Sequence, residues 1–137
     1  MITFNYQTAF VLKNESQTSD WIQKIIDSEG FQTGDINYVF CDDNYLNTMN
    51  VEFLNHNTYT DIISFDYSQG KELHGEIYIS IQRVVENAKE FHTTFENELH
   101  RVIVHGILHF MGHKDKTTEE KKAMRIKENN SLKKLTH

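Results

Sequence analysis

The sequence predicts an α+β domain, with one small mixed β-sheet of about four strands covered by helices. Three observations support that class. Hydrophobic spacing shifts between period two and period 3.6 along the chain and gives the order β-α-β-α-β-β-α-α-α, the pattern of one sheet layered with helices. The 137 residues have the length of one domain and suffice to bury a core. The chain has no proline, low-complexity tract, internal repeat or linker, so residues 1–137 read as a single domain.

Each element has its own justification. Ile2, Phe4 and Tyr6 alternate as in a first strand. A helix follows, capped by Thr18 or Ser19, with Trp21, Ile22, Ile25 and Ile26 on its buried face and Gly30 closing it. Asp35 to Cys41 forms the second strand. Asp42 or Asp43 caps a helix that carries Leu46, Met49 and Phe53 at i, i+3 and i+7. Asp61 to Tyr67 and Glu76 to Ser80 are β-rich runs, and the polar loop Ser68-Gln-Gly-Lys-Glu72 between them suits a hairpin. From Ser80 onward the chain is helical. Val84, Val85, Ala88 and Phe91 form one apolar stripe, and about Thr94 to Met111 form the next helix. Thr117, with Glu120 three residues on, resembles a capping box that opens the last helix.

Composition narrows the function. Mean hydropathy is −0.59 and no apolar run approaches the roughly 20 residues of a membrane span, so no membrane role is expected. No basic segment followed by an apolar core opens the chain, and the single Cys41 excludes an internal disulfide framework. Both observations fit a reducing cytoplasm. Cys41 itself ends a strand and reads as a small buried hydrophobe rather than a nucleophile. The net charge of −6 speaks against indiscriminate nucleic-acid binding, but it is unevenly spread. Between Lys114 and Lys134 eight Lys or Arg face four Asp or Glu, so this stretch carries +4 and the rest of the chain −10. A basic C-terminal helix can meet phosphates; a Lys/Glu-rich helix is as commonly a solvated face.

The strongest chemical signal is His105-Gly-Ile-Leu-His109-Phe-Met-Gly112-His113-Lys-Asp115. Residues i and i+4 of a helix lie about 40° apart on one face, so His105 and His109 stand one turn above each other. Gly112 can take the left-handed conformation that ends a helix, and Asp115 follows as a third ligand. Two imidazoles and a carboxylate suit a transition metal that keeps a position for water, as in a hydrolytic rather than a structural site. Burying these three groups without a partner would be costly, and a metal supplies one. The spacing is zincin-like, H-E-x-x-H-x-x-G-x-x-[HD], except that Gly106 stands where those proteases carry their general-base glutamate. Peptide hydrolysis by that route therefore lacks its base. A two-histidine, one-carboxylate iron oxygenase fits less well, because such sites are usually carried on the strands of a β-barrel.

The run His105-Gly-Ile-Leu-His109-Phe-Met-Gly112 with a ligand at 115 resembles the signature of the YbeY family of rRNA-maturation endoribonucleases. Asn50 with Phe53 and Thr60-Asp61-Ile62-Ile63-Ser64-Phe65 is similar to the family's asparagine-bearing helix and following strand. Gly75-Glu76-Ile77-Tyr78-Ile79 is similar to its Gly-Asp-Ile strand, and the trailing helix with Met124 and Glu128 agrees as well. The resemblance implies a zinc-dependent, single-strand-specific RNase acting in small-subunit rRNA 3′-end maturation and in ribosome quality control. Precursor small-subunit rRNA is the implied substrate, and the ribosomal small subunit and assembly factors are the implied partners.

Two departures bear on the chemistry. Most members carry histidine where this chain has Asp115. A carboxylate there lowers the charge of the site by one, weakens the metal as a Lewis acid and admits Mn or Ni beside zinc. His113 is the alternative third ligand, but Asp115 holds the matching position. Leu54 stands where many members carry an arginine, so either another basic residue contacts phosphate or activity on RNA is weaker. Lys114 and Lys116 are candidates by proximity in sequence. Glu98 falls on the His105 face of the helix and reads as a surface ion pair or a support for a ligand. Asn50 orients substrate or caps backbone. His56, His74, His92, His100 and His137 lack ligand spacing. The expected site is thus zinc on His105, His109 and Asp115, with water in the fourth position and no further side chain named as catalyst. The alternative is a ribosome-associated assembly factor with a metal site but little nuclease activity.

Overall fold

The computed structural model describes residues 1–54 and 60–135. The elements run β1 (Ile2–Tyr6), α1 (Glu15–Ser28), β2 (Gln32–Cys41), α2 (Asp43–Leu54), β3 (Ile62–Asp66), β4 (Glu72–Ser80), α3 (Ile81–Glu90), α4 (Phe95–Phe110) and α5 (Thr118–Lys133). The fold is α+β, and its sheet has four strands in the order β1-β2-β4-β3. β1 and β4 pair parallel to β2, and β3 joins β4 antiparallel, which makes the sheet mixed. The β3–β4 pair is the hairpin that the polar loop predicts.

Strand alternation creates two faces. On one, Ile36, Tyr38, Phe40, Ile77 and Ile79 lie beneath α1 and α4, whose Trp21, Ile22, Ile25, Ile26, Ile103 and Ile107 complete the main core. On the other, Cys41 and Ile63 pack with Leu46 of α2. Cys41 is fully buried as expected, and burial pushes its thiol up to about 12.

Four elements differ from the sequence reading. α1 starts a turn earlier, with Asn14 as N-cap, and Thr18 is a buried residue inside the helix, not its cap. The apolar side of the helix extends through Thr18, so the first turn is held by packing and not by a capping side chain. β2 and β4 begin at Gln32 and Glu72 because these polar residues pair with each other, ahead of an irregularity between Thr33 and Ile36. Phe91 was expected on the buried stripe of α3; it is 53% exposed, because the helix ends at Glu90 and Phe91 is its C-cap. Of the two capping candidates for α2, Asp42 caps, accepting from Tyr45 N–H at 2.8 Å.

The scaffold fixes α4 firmly. Tyr38 donates from the sheet to the Ile103 carbonyl at 2.9 Å. Trp21 of α1 donates to Ser131 of α5 at 2.8 Å, which ties the last helix into the same body. The side chains of Phe53 and Leu54, and His56 and His137, lie outside the described residues. Among the described residues no helix is long and apolar enough to cross a membrane.

Candidate metal centre

Helix α4 explains the placement of all three proposed ligands. Thr94 caps its start, accepting from Asn97 N–H at 3.1 Å. One side of the helix buries Ile103, Ile107 and Phe110, which leaves His105 and His109 on the outer side, partly exposed. At the end, Gly112 has φ +94°, and the turn closes through Gly112 N–H to His109 O at 3.0 Å and His113 N–H to Leu108 O at 3.1 Å. That double bond pattern is a Schellman motif. It reverses the chain, so Asp115 returns to the imidazoles.

The three side chains converge. His105 Nε2 lies 2.9 Å from His109 Nε2 and 3.2 Å from Asp115 Oδ2, and His109 Nε2 lies 3.4 Å from the same oxygen. A tetrahedral ion with bonds of about 2.0–2.1 Å holds its ligand atoms roughly 3.3 Å apart. The spacing therefore fits a metal ion, with one coordination position left over. Together they form a group that could hold such an ion.

Gly106, between the two histidines, faces the sheet. A Cβ there would come within 2.9 Å of Ile77 Cδ1 and 3.2 Å of Ile62 Cδ1. Glycine lets the helix lie close to the sheet, and a glutamate in this position would drive its side chain into apolar packing. The lack of a protease base is thus built into the packing.

Two helix partners that spacing alone does not single out complete the site. Glu128 of α5, 5% exposed, takes His105 Nδ1 at 2.6 Å, and Arg101 Nη1 donates to its other oxygen at 3.0 Å. An ionised carboxylate only accepts, so the proton resides on His105 Nδ1. In the neutral ring, Nε2 then presents its lone pair toward His109 and Asp115. Burial pushes His105 down, but the Glu128 hydrogen bond and the charges of Glu128, Asp115 and Asp61 more than offset it, so its pKa is raised. Burial likewise pushes Glu128 up, and His105 with Arg101 overrides it, so the carboxyl titrates below its usual range. In the sequence Glu128 stands only as part of the trailing helix, with no role of its own. It lies 23 residues from His105, so only the packing of α5 on α4 shows the pairing.

Other residues fall elsewhere. Expected as a surface group or a second support, Glu98 is 3% exposed, with Arg101 Nε 3.7 Å away and no hydrogen bond to its Oε1. Burial pushes its carboxyl up against the pull of Arg101. His113 turns away to Glu29, 2.8 Å distant, and so does not join the cluster. His74 accepts from Asp35 N–H at 3.0 Å and His100 meets the Glu96 carbonyl at 2.6 Å, both structural roles. Asn50 is buried in α2. Asp61, at the head of β3, accepts from Asn87 at 3.2 Å, and burial raises its pKa. Lys114 and Lys116 are exposed beside Asp115.

Comparison with known proteins places the chain. A proteins-family profile described as Endoribonuclease YbeY matches residues 2–136. The chain is 53% identical over 132 residues to "Endoribonuclease YbeY" of Flavobacterium johnsoniae, covering 96% of this chain and 95% of that one. The protein of the same name from Cytophaga hutchinsonii is 47% identical over 130 residues, covering 94% and 91%. A protein of Thermotoga maritima solved in solution shares the fold with a TM-score of 0.71 at 28% identity, over 98% of this chain and 89% of that one. With that profile spanning nearly every residue and such identity to its relatives, the chain belongs to the endoribonuclease YbeY family.

Proposed function

We propose that this protein is a zinc-dependent, single-strand-specific endoribonuclease that matures the 3′ end of small-subunit rRNA and serves ribosome quality control. Family membership supports the endoribonuclease class, and the convergence of His105, His109 and Asp115 carries the metal part of the reading. We place its work in the cytoplasm, on precursor rRNA and with small-subunit ribosomal partners, and we treat residues 1–137 as one functional domain.

His105, His109 and Asp115 would hold the ion. When bound, zinc supplies Lewis acidity toward a phosphate oxygen and toward water. The protein's own residues do the rest. Glu128 keeps the His105 proton on Nδ1 and so keeps Nε2 available. Arg101 neutralises Glu128 and holds it in place. The partial exposure of His109 and Asp115 leaves the cluster open to a polynucleotide strand. No side chain is assigned as a general base.

The test uses single-stranded RNA spanning the 3′ end of precursor small-subunit rRNA, with zinc-loaded protein beside a His105→Ala/His109→Ala variant. Cleavage by the parent alone is expected. Product ends separate the routes: attack by water leaves a 5′- or 3′-phosphate, and attack by the RNA 2′-hydroxyl leaves a 2′,3′-cyclic phosphate. Intact, metal-loaded parent that leaves the RNA whole would overturn the reading in favour of an assembly factor.

A further inference from the structure

We infer that the groove beside the three-residue cluster is a nucleotide subsite, where Phe91 stacks on an unstacked base and Arg125 meets the neighbouring phosphate of single-stranded RNA. The inference rests on the ribonuclease reading above and specifies how that substrate is held. The groove encloses about 300 Å³ and includes His105 and Asp115 in its lining, so anything bound in it lies next to the cluster. That volume is at the lower end of small-molecule sites, about 300–1,000 Å³, a fit for one nucleotide rather than a folded partner. α4 packs against both α3 and α5, so the end of α3, with Asn87 and Phe91, and α5, with Arg125, flank it.

Phe91 is the unexpected feature. Burying a phenylalanine fully stabilises a fold by about 1.5–3 kcal/mol, yet this ring is 53% exposed on the groove. Its backbone is fixed. His92 N–H donates to Lys89 O at 3.3 Å and Thr93 N–H to Ala88 O at 3.0 Å, a closed turn around the Phe91 backbone. An exposed aromatic carried on a fixed backbone turn beside a site for single-stranded RNA matches the way such proteins take up splayed bases.

Arg125 supplies the charge. Glu128 is already satisfied by His105 and by Arg101 at 3.0 Å, whereas Arg125 Nε stands 3.9 Å from the same oxygen, beyond hydrogen-bond range. Its side chain is 52% exposed at the groove. The groove also carries Asp61, Glu98, Asp115 and Glu128 against Arg101 and Arg125, an excess of two negative charges that one divalent ion in the cluster balances. Phosphate is therefore expected to bind the metal-loaded protein.

The test measures binding of a labelled single-stranded RNA pentamer to zinc-loaded full-length protein by fluorescence anisotropy at several salt concentrations, with RNA integrity checked. Phe91→Ala is expected to weaken binding about ten-fold, and Phe91→Trp to keep it near the parent's. Arg125→Gln is expected to weaken binding and to reduce the salt dependence by about 0.7 in log–log slope, the share of one phosphate contact. Thermal melting of each variant excludes misfolding, which the surface position of both residues makes a minor effect. Parental affinity in Phe91→Ala overturns the stacking role, and an unchanged slope in Arg125→Gln overturns the phosphate contact. Cleavage is scored separately: a parent that cuts RNA while both variants bind normally loses only the subsite, whereas a parent that neither binds nor cuts loses the ribonuclease reading too.

Discussion

His105 is gripped through both ring nitrogens, Nδ1 by Glu128 at 2.6 Å and Nε2 within the cluster at 2.9–3.2 Å of its partners. Carboxylates that orient a ligating histidine are typically worth 10–100-fold in metal affinity. Glu128→Gln should therefore weaken zinc binding by about that factor in competition with a chromophoric chelator. The amide oxygen can still accept from His105 Nδ1, but the amide NH2 then faces the Arg101 donor, so the variant loses both the charge and the Arg101 bond; an unchanged affinity would show that Glu128 serves packing alone. Asp115 and His113 are separated by the same assay. His113 is engaged by Glu29 at 2.8 Å, so Asp115→Ala should lower zinc affinity clearly more than His113→Ala, and equal losses would remove Asp115 from the site. Glu98 gives a pH-dependent expectation. Its folded-state pKa is raised above 4.5 by burial, so the folded protein holds this proton more tightly than the unfolded chain. Stability is then lost as pH rises from about 4.5 through the raised value, the sign opposite to that of a salt-bridged carboxylate. The melting temperature of Glu98→Gln minus that of the parent should accordingly grow more positive from pH 4.5 to 7; a flat difference would mean that Arg101 fully compensates the burial.

At the scale of elements, α4 has two sides with incompatible demands. Its inner side needs Gly106 to lie against Ile77 and Ile62, while its outer side carries both histidines. Gly106→Glu would force a carboxylate into that packing, and burying an unpaired charge is strongly unfavourable. We expect a loss of about 3 kcal/mol or more in urea unfolding and no gain of peptidase activity. A stable, zinc-binding Gly106→Glu protein would show that the helix can lift off the sheet. The helix itself was legible in the sequence, because period 3.6, the i,i+4 histidines and the terminal glycine all state local facts. So was the capping box of α5, where Thr117 and Glu120 bond reciprocally as the spacing suggests. The start of α1 was not, since Asn14 makes no side-chain cap and only packing decides where the helix begins. Glu128 and Arg101 escaped for a related reason: their partners lie on another helix, and no local spacing encodes how α5 docks. Phe91 was misplaced because an apolar stripe says where a helix is buried but not where the helix stops.

For the whole molecule, the β1-β2-β4-β3 order lays the strand edge at β3 beside α4, so Asp61 and Ile62 reach the same groove as the histidines. Local patterns gave the class of this fold, but the strand order, parallel through β1, β2 and β4 and antiparallel at β3, arises from pairings between residues far apart in the chain. The long-range docking of α5 brings Glu128 against His105 and Arg101 of α4, beside the three residues that could hold a metal ion. In the proposed function, RNA cleavage runs through an ion held by His105, His109 and Asp115. The direct measurement strips the protein with a chelator, adds zinc back in sub-stoichiometric steps, and follows cleavage of single-stranded precursor rRNA. Activity should be absent at the start, rise in proportion to zinc, level off at one equivalent per chain, and fail to appear in His105→Ala/His109→Ala. Cleavage that persists in the stripped protein, or that returns with zinc in the double variant, would contradict it.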